Sequence, residues 1–142
     1  MQKATRSVQS FLLPLAFAIL GACAAQTPSE APHWSVTPID DFKTVAGKWE
    51  GVIITQPRSR DEQWVRVSIG EDGSYEFASY RQIGVFHGQG TFTLKDGRVS
   101  TTTERGTATC TLYSANGDRR LLRAHGVNKQ GVKYSADLTP AQ

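Results

Sequence analysis

The chain has 142 residues, 39% of them hydrophobic, enough for one modest domain with its own core and too few for two. Its 16 basic residues exceed its 13 acidic ones, yet Lys3 and Arg6 belong to an N-terminal leader, and without those two the balance is 14 to 13. A body so close to neutral excludes a nucleic-acid binder, which works through a concentrated basic face.

Residues 1–22 read as a signal peptide. Lys3 and Arg6 give the basic start, and the apolar run from Phe11 to Ala22 is too short to cross a bilayer, which takes roughly 20 helical residues. Leu20-Gly21-Ala22-Cys23 closes it and resembles the bacterial lipobox. The resemblance implies that Cys23 is diacylated through its thiol, becomes the first residue after cleavage and is then N-acylated. With Ala24 next, it implies the outer membrane of a Gram-negative cell, with the domain facing the periplasm. Several acyl chains anchor far more firmly than one. The alternative is ordinary cleavage after Ala25, giving a soluble periplasmic or secreted protein. With Cys23 acylated, Cys110 is the remaining thiol and no intramolecular disulfide forms. Ala108 and Leu112 share its face and no base adjoins it, so Cys110 reads as a small buried apolar side chain.

Residues 23–36 are small, polar and proline-bearing, the composition of a flexible tether from the membrane. The domain proper is expected over 37–142. Thr37-Pro38-Ile39-Asp40 supplies an N-cap, a first-turn proline and a carboxylate, so a short helix or turn is expected there, with Phe42 and Val45 on the face of Ile39.

From Lys48 onward, apolar and polar residues alternate in short runs. Strands are expected at 48–55, 63–69, 74–80, 88–94, 98–103, 107–113, 119–125 and 132–138. Asp72-Gly73, Asp96-Gly97 and Asn116-Gly117 supply the positive-φ residues of tight hairpins, so consecutive strands are expected to be antiparallel neighbours. An open sheet of this size leaves edges, and closure removes them. The fold class is therefore all-β: an eight-stranded up-and-down antiparallel β-barrel with a short N-terminal helical turn.

Alternation sends Val65, Val67, Ile69, Tyr75, Phe77, Phe92, Leu94, Ala108, Cys110, Leu112, Val132, Tyr134, Ala136 and Leu138 inward, and Glu76, Thr91, Thr93, Thr107, Thr109, Thr111, Lys133 and Asp137 toward water. Strands of about seven residues make a wall about 23 Å tall. A bulky inward set favours a mostly filled interior.

Gly47-Lys48-Trp49 at the opening of the first long strand, followed only by hairpins, resembles the start of a lipocalin-type barrel. The resemblance implies that Trp49 plugs the closed base beneath a basic side chain from a late strand, with Arg119, Arg120 or Arg123 as candidates. Gly47 and Gly51 flank that ring on its own face and let neighbouring backbone close over it. The chain departs from the family in its shorter strands and loops, which leave little depth for a ligand cup.

Catalytic motifs are absent from the sequence: no phosphate loop, no Cys-x-x-Cys, no His-Glu-x-x-His and no Gly-x-Ser-x-Gly. The expectation is a non-enzymatic binding protein without a cofactor. Arg123 and His125, with His87 at another strand end, are the candidate polar contacts for a small apolar or amphipathic ligand. A weaker version has His87 or His125 holding haem. The rival expectation is an inhibitor of an envelope or host hydrolase, binding protein through Trp64 and Tyr80 on the outer surface. An internal cavity above about 300 Å³ favours the first. A filled interior with those two rings exposed favours the second.

Overall fold

A computed structural model describes residues 31–57, 63–81, 84–116 and 118–142. Residues 1–22, expected as a signal peptide, and Cys23 lie outside them. Ten strands form: β1 Ser35–Thr37, β2 Gly47–Gln56, β3 Gln63–Ile69, β4 Ser74–Arg81, β5 Gly84–Thr91, β6 Thr93–Lys95, β7 Arg98–Thr103, β8 Gly106–Ala115, β9 Arg119–Asn128 and β10 Lys133–Pro140. The helical content of the described residues is one 3-10 turn, Phe42–Thr44.

All pairing is antiparallel, in the order β5-β4-β3-β2-β10-β9-β8-β7-β6, so the first long strand pairs with the last. The sheet curls into a half-barrel. The curl brings β4 against β7 although they lie far apart in the ladder, with Tyr75 Oη 3.2 Å from Thr101 Oγ1.

Among the described residues there are ten strands rather than eight, for two reasons. A break at Phe92 divides the run from Gly84 to Lys95 into β5, which pairs with β4, and β6, which pairs with β7. The Phe92 ring turns into the core, its centroid 4.4 Å from that of Tyr75. In addition, Ser35–Thr37, which composition places in the tether, pairs as β1 with the part of β8 that β7 leaves uncovered. The up-and-down antiparallel class is as expected, with the sheet curled as a half-barrel. Among the described residues no ladder joins β5 to β7, and the two edges are instead consecutive pieces of one run.

The core gathers at the end of the half-barrel that holds the 3-10 turn. Ile39, Val45 and Trp49 are buried there with Ile69, Leu112, Leu122 and Leu138. The turn starts later than its expected cap. Ile39 N–H donates to the Gly97 carbonyl, residues 38–40 form no helix, and the extended Asp41 (φ −143°, ψ 145°) caps the turn by accepting from Lys43 N–H. Asp96 (φ 54°) and Gly97 (φ 69°) form the β6–β7 hairpin as expected. Gly117 lies outside the described residues.

Two expected exposures change. Leu94 opposes Val99 on β7 but sits on the last strand of the sheet, where nothing covers it, and it is 37% exposed. Thr111 lies on the outer face as expected, yet it is buried beside its cross-strand partner Arg123.

Candidate functional site: the outer face of the sheet

Alternation along β3 turns Val65 inward and Trp64 and Arg66 outward. Ladder register then aligns outward residues of successive strands into one row across the sheet: Val85, Tyr80, Trp64, Val52, Asp137 and Arg123. Directly paired residues on one face have Cβ atoms about 5 Å apart, so the row is continuous. Its first half is apolar and open to solvent, with Trp64 42% and Tyr80 40% exposed. Its second half is a charge pair.

Arg123 donates from Nε and Nη2 to the two carboxylate oxygens of Asp137, at 2.6 and 2.7 Å. These bonds raise the guanidinium pKa and hold the Asp137 carboxyl below its ordinary range, with the Arg123 charge and the nearby His125 adding smaller contributions in the same direction. The Arg123 guanidinium also lies 5.3 Å from the Tyr113 ring centroid. Arg66 and Glu50 form a second outward pair at 3.2 Å.

Two grooves run along this face. One, of about 540 Å³, has Val52, Ile54 and Trp64 on one side and Arg123 and Asp137 on the other. The second, of about 340 Å³, continues past His125 and Ser135 toward Thr107 and Lys133. Apolar wall, charged wall and a shared exposed histidine make a surface that can seat an amphipathic segment of a partner.

The polar residues expected to meet an internal ligand lie elsewhere. Arg123 and His125 point outward because Leu122, not Leu121, is the buried member of that adjacent pair. His87 is exposed on β5, opposite Ala78, and the fold does not bring it to His125. Among the described residues no group of three His, Cys, Asp or Glu side chains stands together as a metal site.

The residues of the base do meet. Trp49 is 2% exposed and its Nε1 donates to the Val45 carbonyl at 2.8 Å. Arg120 lies over the indole, its Cζ 5.2 Å from the ring centroid, and donates to the Thr44 carbonyl. Gly51 has no room for a side chain, since a Cβ there would stand 2.0 Å from the Asp137 carbonyl oxygen. Gly47 faces open space and is required for its backbone, at φ +123°.

Two features escaped the sequence reading. Arg81 and Arg105 both approach the ring of Phe86 at the far end of the half-barrel. Ser79 is buried with its hydroxyl unpartnered. No local pattern signals either, because both depend on which strands the curl brings together. Searches against protein-family models, curated proteins and solved structures found no match.

Proposed function

We propose that this chain is an exported, lipid-anchored binding domain of the cell envelope that engages a protein partner through the outer face of β2, β3 and β4. The observation that carries the reading is the Trp64–Tyr80 pair: two large rings, directly opposed across the β3–β4 ladder and each about two-fifths exposed. Aromatic side chains of this kind dominate protein interfaces. A core that fills the base around Trp49 and grooves that lie outside the sheet both support an external site. The leader and Cys23 motif support export and anchoring. Inhibition of an envelope or host hydrolase is one form such binding takes.

The test places a photo-cross-linking phenylalanine analogue at position 64 or 80 in cells that express the chain. The expected result is a discrete adduct at both positions and none at exposed Lys95 on β6, which lines neither groove. Equal labelling at all three positions overturns the reading.

One observation favours the second reading, a small ligand held inside. The Ser79 hydroxyl is buried without a partner, and a buried unsatisfied polar group normally has a water or ligand to meet it. Loss of a co-purifying small molecule in Ser79→Ala, seen by native mass spectrometry, is the result that reading requires.

A further inference from the structure

Among the described residues β5 pairs with β4 alone, and no strand ladder covers its other side, where the Arg105 side chain bonds the His87 carbonyl. β5 has eight residues and spans about 27 Å at 3.4 Å per residue. None of them is Lys, Arg, Asp, Glu or Pro, the residues that commonly blunt exposed edges. The bond from Phe92 N–H to the Gly73 carbonyl, 2.8 Å, sets the phase of the β4–β5 ladder. By alternation, Phe86, Gly88 and Gly90 turn their backbone groups toward β4, and Val85, His87 and Gln89 turn theirs away. The His87 carbonyl accordingly accepts from Arg105 Nη1 at 3.0 Å, on the side away from β4.

Two cations stand beside that edge. The Cζ atoms of Arg105 and Arg81 lie 4.6 and 5.9 Å from the Phe86 ring centroid. Neither arginine has a carboxylate partner among the described residues.

We infer that β5 is the docking edge for an extended acidic segment of the protein partner, which adds to the sheet as a further strand. The inference rests on the outer-face reading and names the partner's chemistry. The added segment takes its backbone hydrogen bonds from the outward groups of Val85, His87 and Gln89. Side chains on its inner side meet Phe86 and the two arginines. Arg105 exchanges a carbonyl for a carboxylate, which carries the opposite charge and can accept two parallel N–H bonds from one guanidinium. Side chains on its outer side extend the apolar row of Val85, Tyr80 and Trp64.

The test uses the full chain and a fluorescein-labelled peptide of about nine residues, long enough to line β5, alternating threonine and aspartate. A matched peptide carries lysine for aspartate. The aspartate peptide is expected to bind about tenfold tighter than the lysine one, a difference of roughly 1.4 kcal/mol, and to weaken as salt screens the arginines. Amide exchange at Val85, His87 and Gln89 is expected to slow on binding, and that at Gly88, already bonded to β4, to stay unchanged. His87→Pro, which removes an outward N–H and no ladder bond, is expected to abolish binding. The double variant R81E/R105E is expected to invert the peptide preference, so the result does not depend on the proline variant folding.

Equal binding of both peptides, or no protection at the three amides, overturns the inference. Protection that grows with protein concentration in the absence of peptide also overturns it, and assigns the edge to a second copy of the chain. Cross-links at positions 64 and 80 that persist while the peptides fail leave the outer-face reading standing and remove only the edge.

Discussion

Arg120 roofs Trp49: its guanidinium lies 5.2 Å from the indole centroid and donates to the Thr44 carbonyl, tying β9 to the 3-10 turn over the plugged base. Thr44 and Arg120, 76 positions apart in sequence, therefore meet at one ring. Trp49→Ala is expected to cost about 3–5 kcal/mol, the range for deleting a buried large aromatic. Arg120→Ala, which removes one cation–π contact and one hydrogen bond, is expected to cost about 1–2 kcal/mol. Urea unfolding of both variants checks the ranking.

The outward arginine on the same strand gives the contrast. Arg123 and Asp137 are bonded through two nitrogens, but their side chains are 38% and 51% exposed. Solvent screens such a pair, so Arg123→Ala is expected to cost under about 1 kcal/mol. The Asp137 carboxyl is held below its ordinary pKa in the fold, so its contribution is complete above the unfolded value of about 4 and is lost as pH falls through the depressed value. Asp137→Asn is expected to flatten the acid limb of the stability curve. Chemical denaturation from pH 6 downward, compared between the two chains, reads this out.

At the other end of the pH scale, burial pushes the Cys110 thiol up to about 12. A raised pKa means that the folded state favours the neutral thiol. Its contribution is whole below the unfolded value of about 8.5 and declines as pH rises toward 12, by at most about 1.4 kcal/mol per pH unit. Cys110→Ala is expected to remove that slope between those limits. The native thiol is likewise expected to resist a thiol-reactive dye at neutral pH and to react on unfolding.

Close approach of backbones sets a fourth expectation. A Cβ at Gly51 collides with the Asp137 carbonyl, which belongs to rigid β10, so Gly51→Ala is expected to cost about 1–3 kcal/mol through forced backbone shifts. Gly47→Ala meets nothing but carries the positive φ, and strain of that kind also costs about 1–3 kcal/mol. Gly47→Asn is expected to lose as much as Gly47→Ala, since φ +123° lies beyond the left-handed well near +57° that asparagine visits. Thermal unfolding of the three variants measures both costs.

Much of the sheet was legible because its signals are local. Period-two alternation assigned Val65, Ile69, Cys110, Leu112, Ala136 and Leu138 to the interior, and Asp96-Gly97 marked a hairpin. The orientation of β9 was not, since Leu121 and Leu122 are adjacent and either gives a plausible inward face. The fold buries Leu122, which carries Arg120 inward and sends Arg123 and His125 out. The break at Phe92 was hidden for a different reason. It is where one run passes from pairing β4 to pairing β7, a change set by curvature of the whole sheet rather than by its neighbours in sequence. The Trp64–Tyr80 pair was visible as two outward residues, and only register made them opposite.

Native mass spectrometry of the full chain, purified in mild detergent from cells that make it, tests the central claim most directly. The account predicts a co-purifying polypeptide in the chain with Trp64 and Tyr80 intact and its loss in W64A/Y80A. A bound small molecule that survives that double substitution and disappears in Ser79→Ala would contradict the account and place the site inside the sheet.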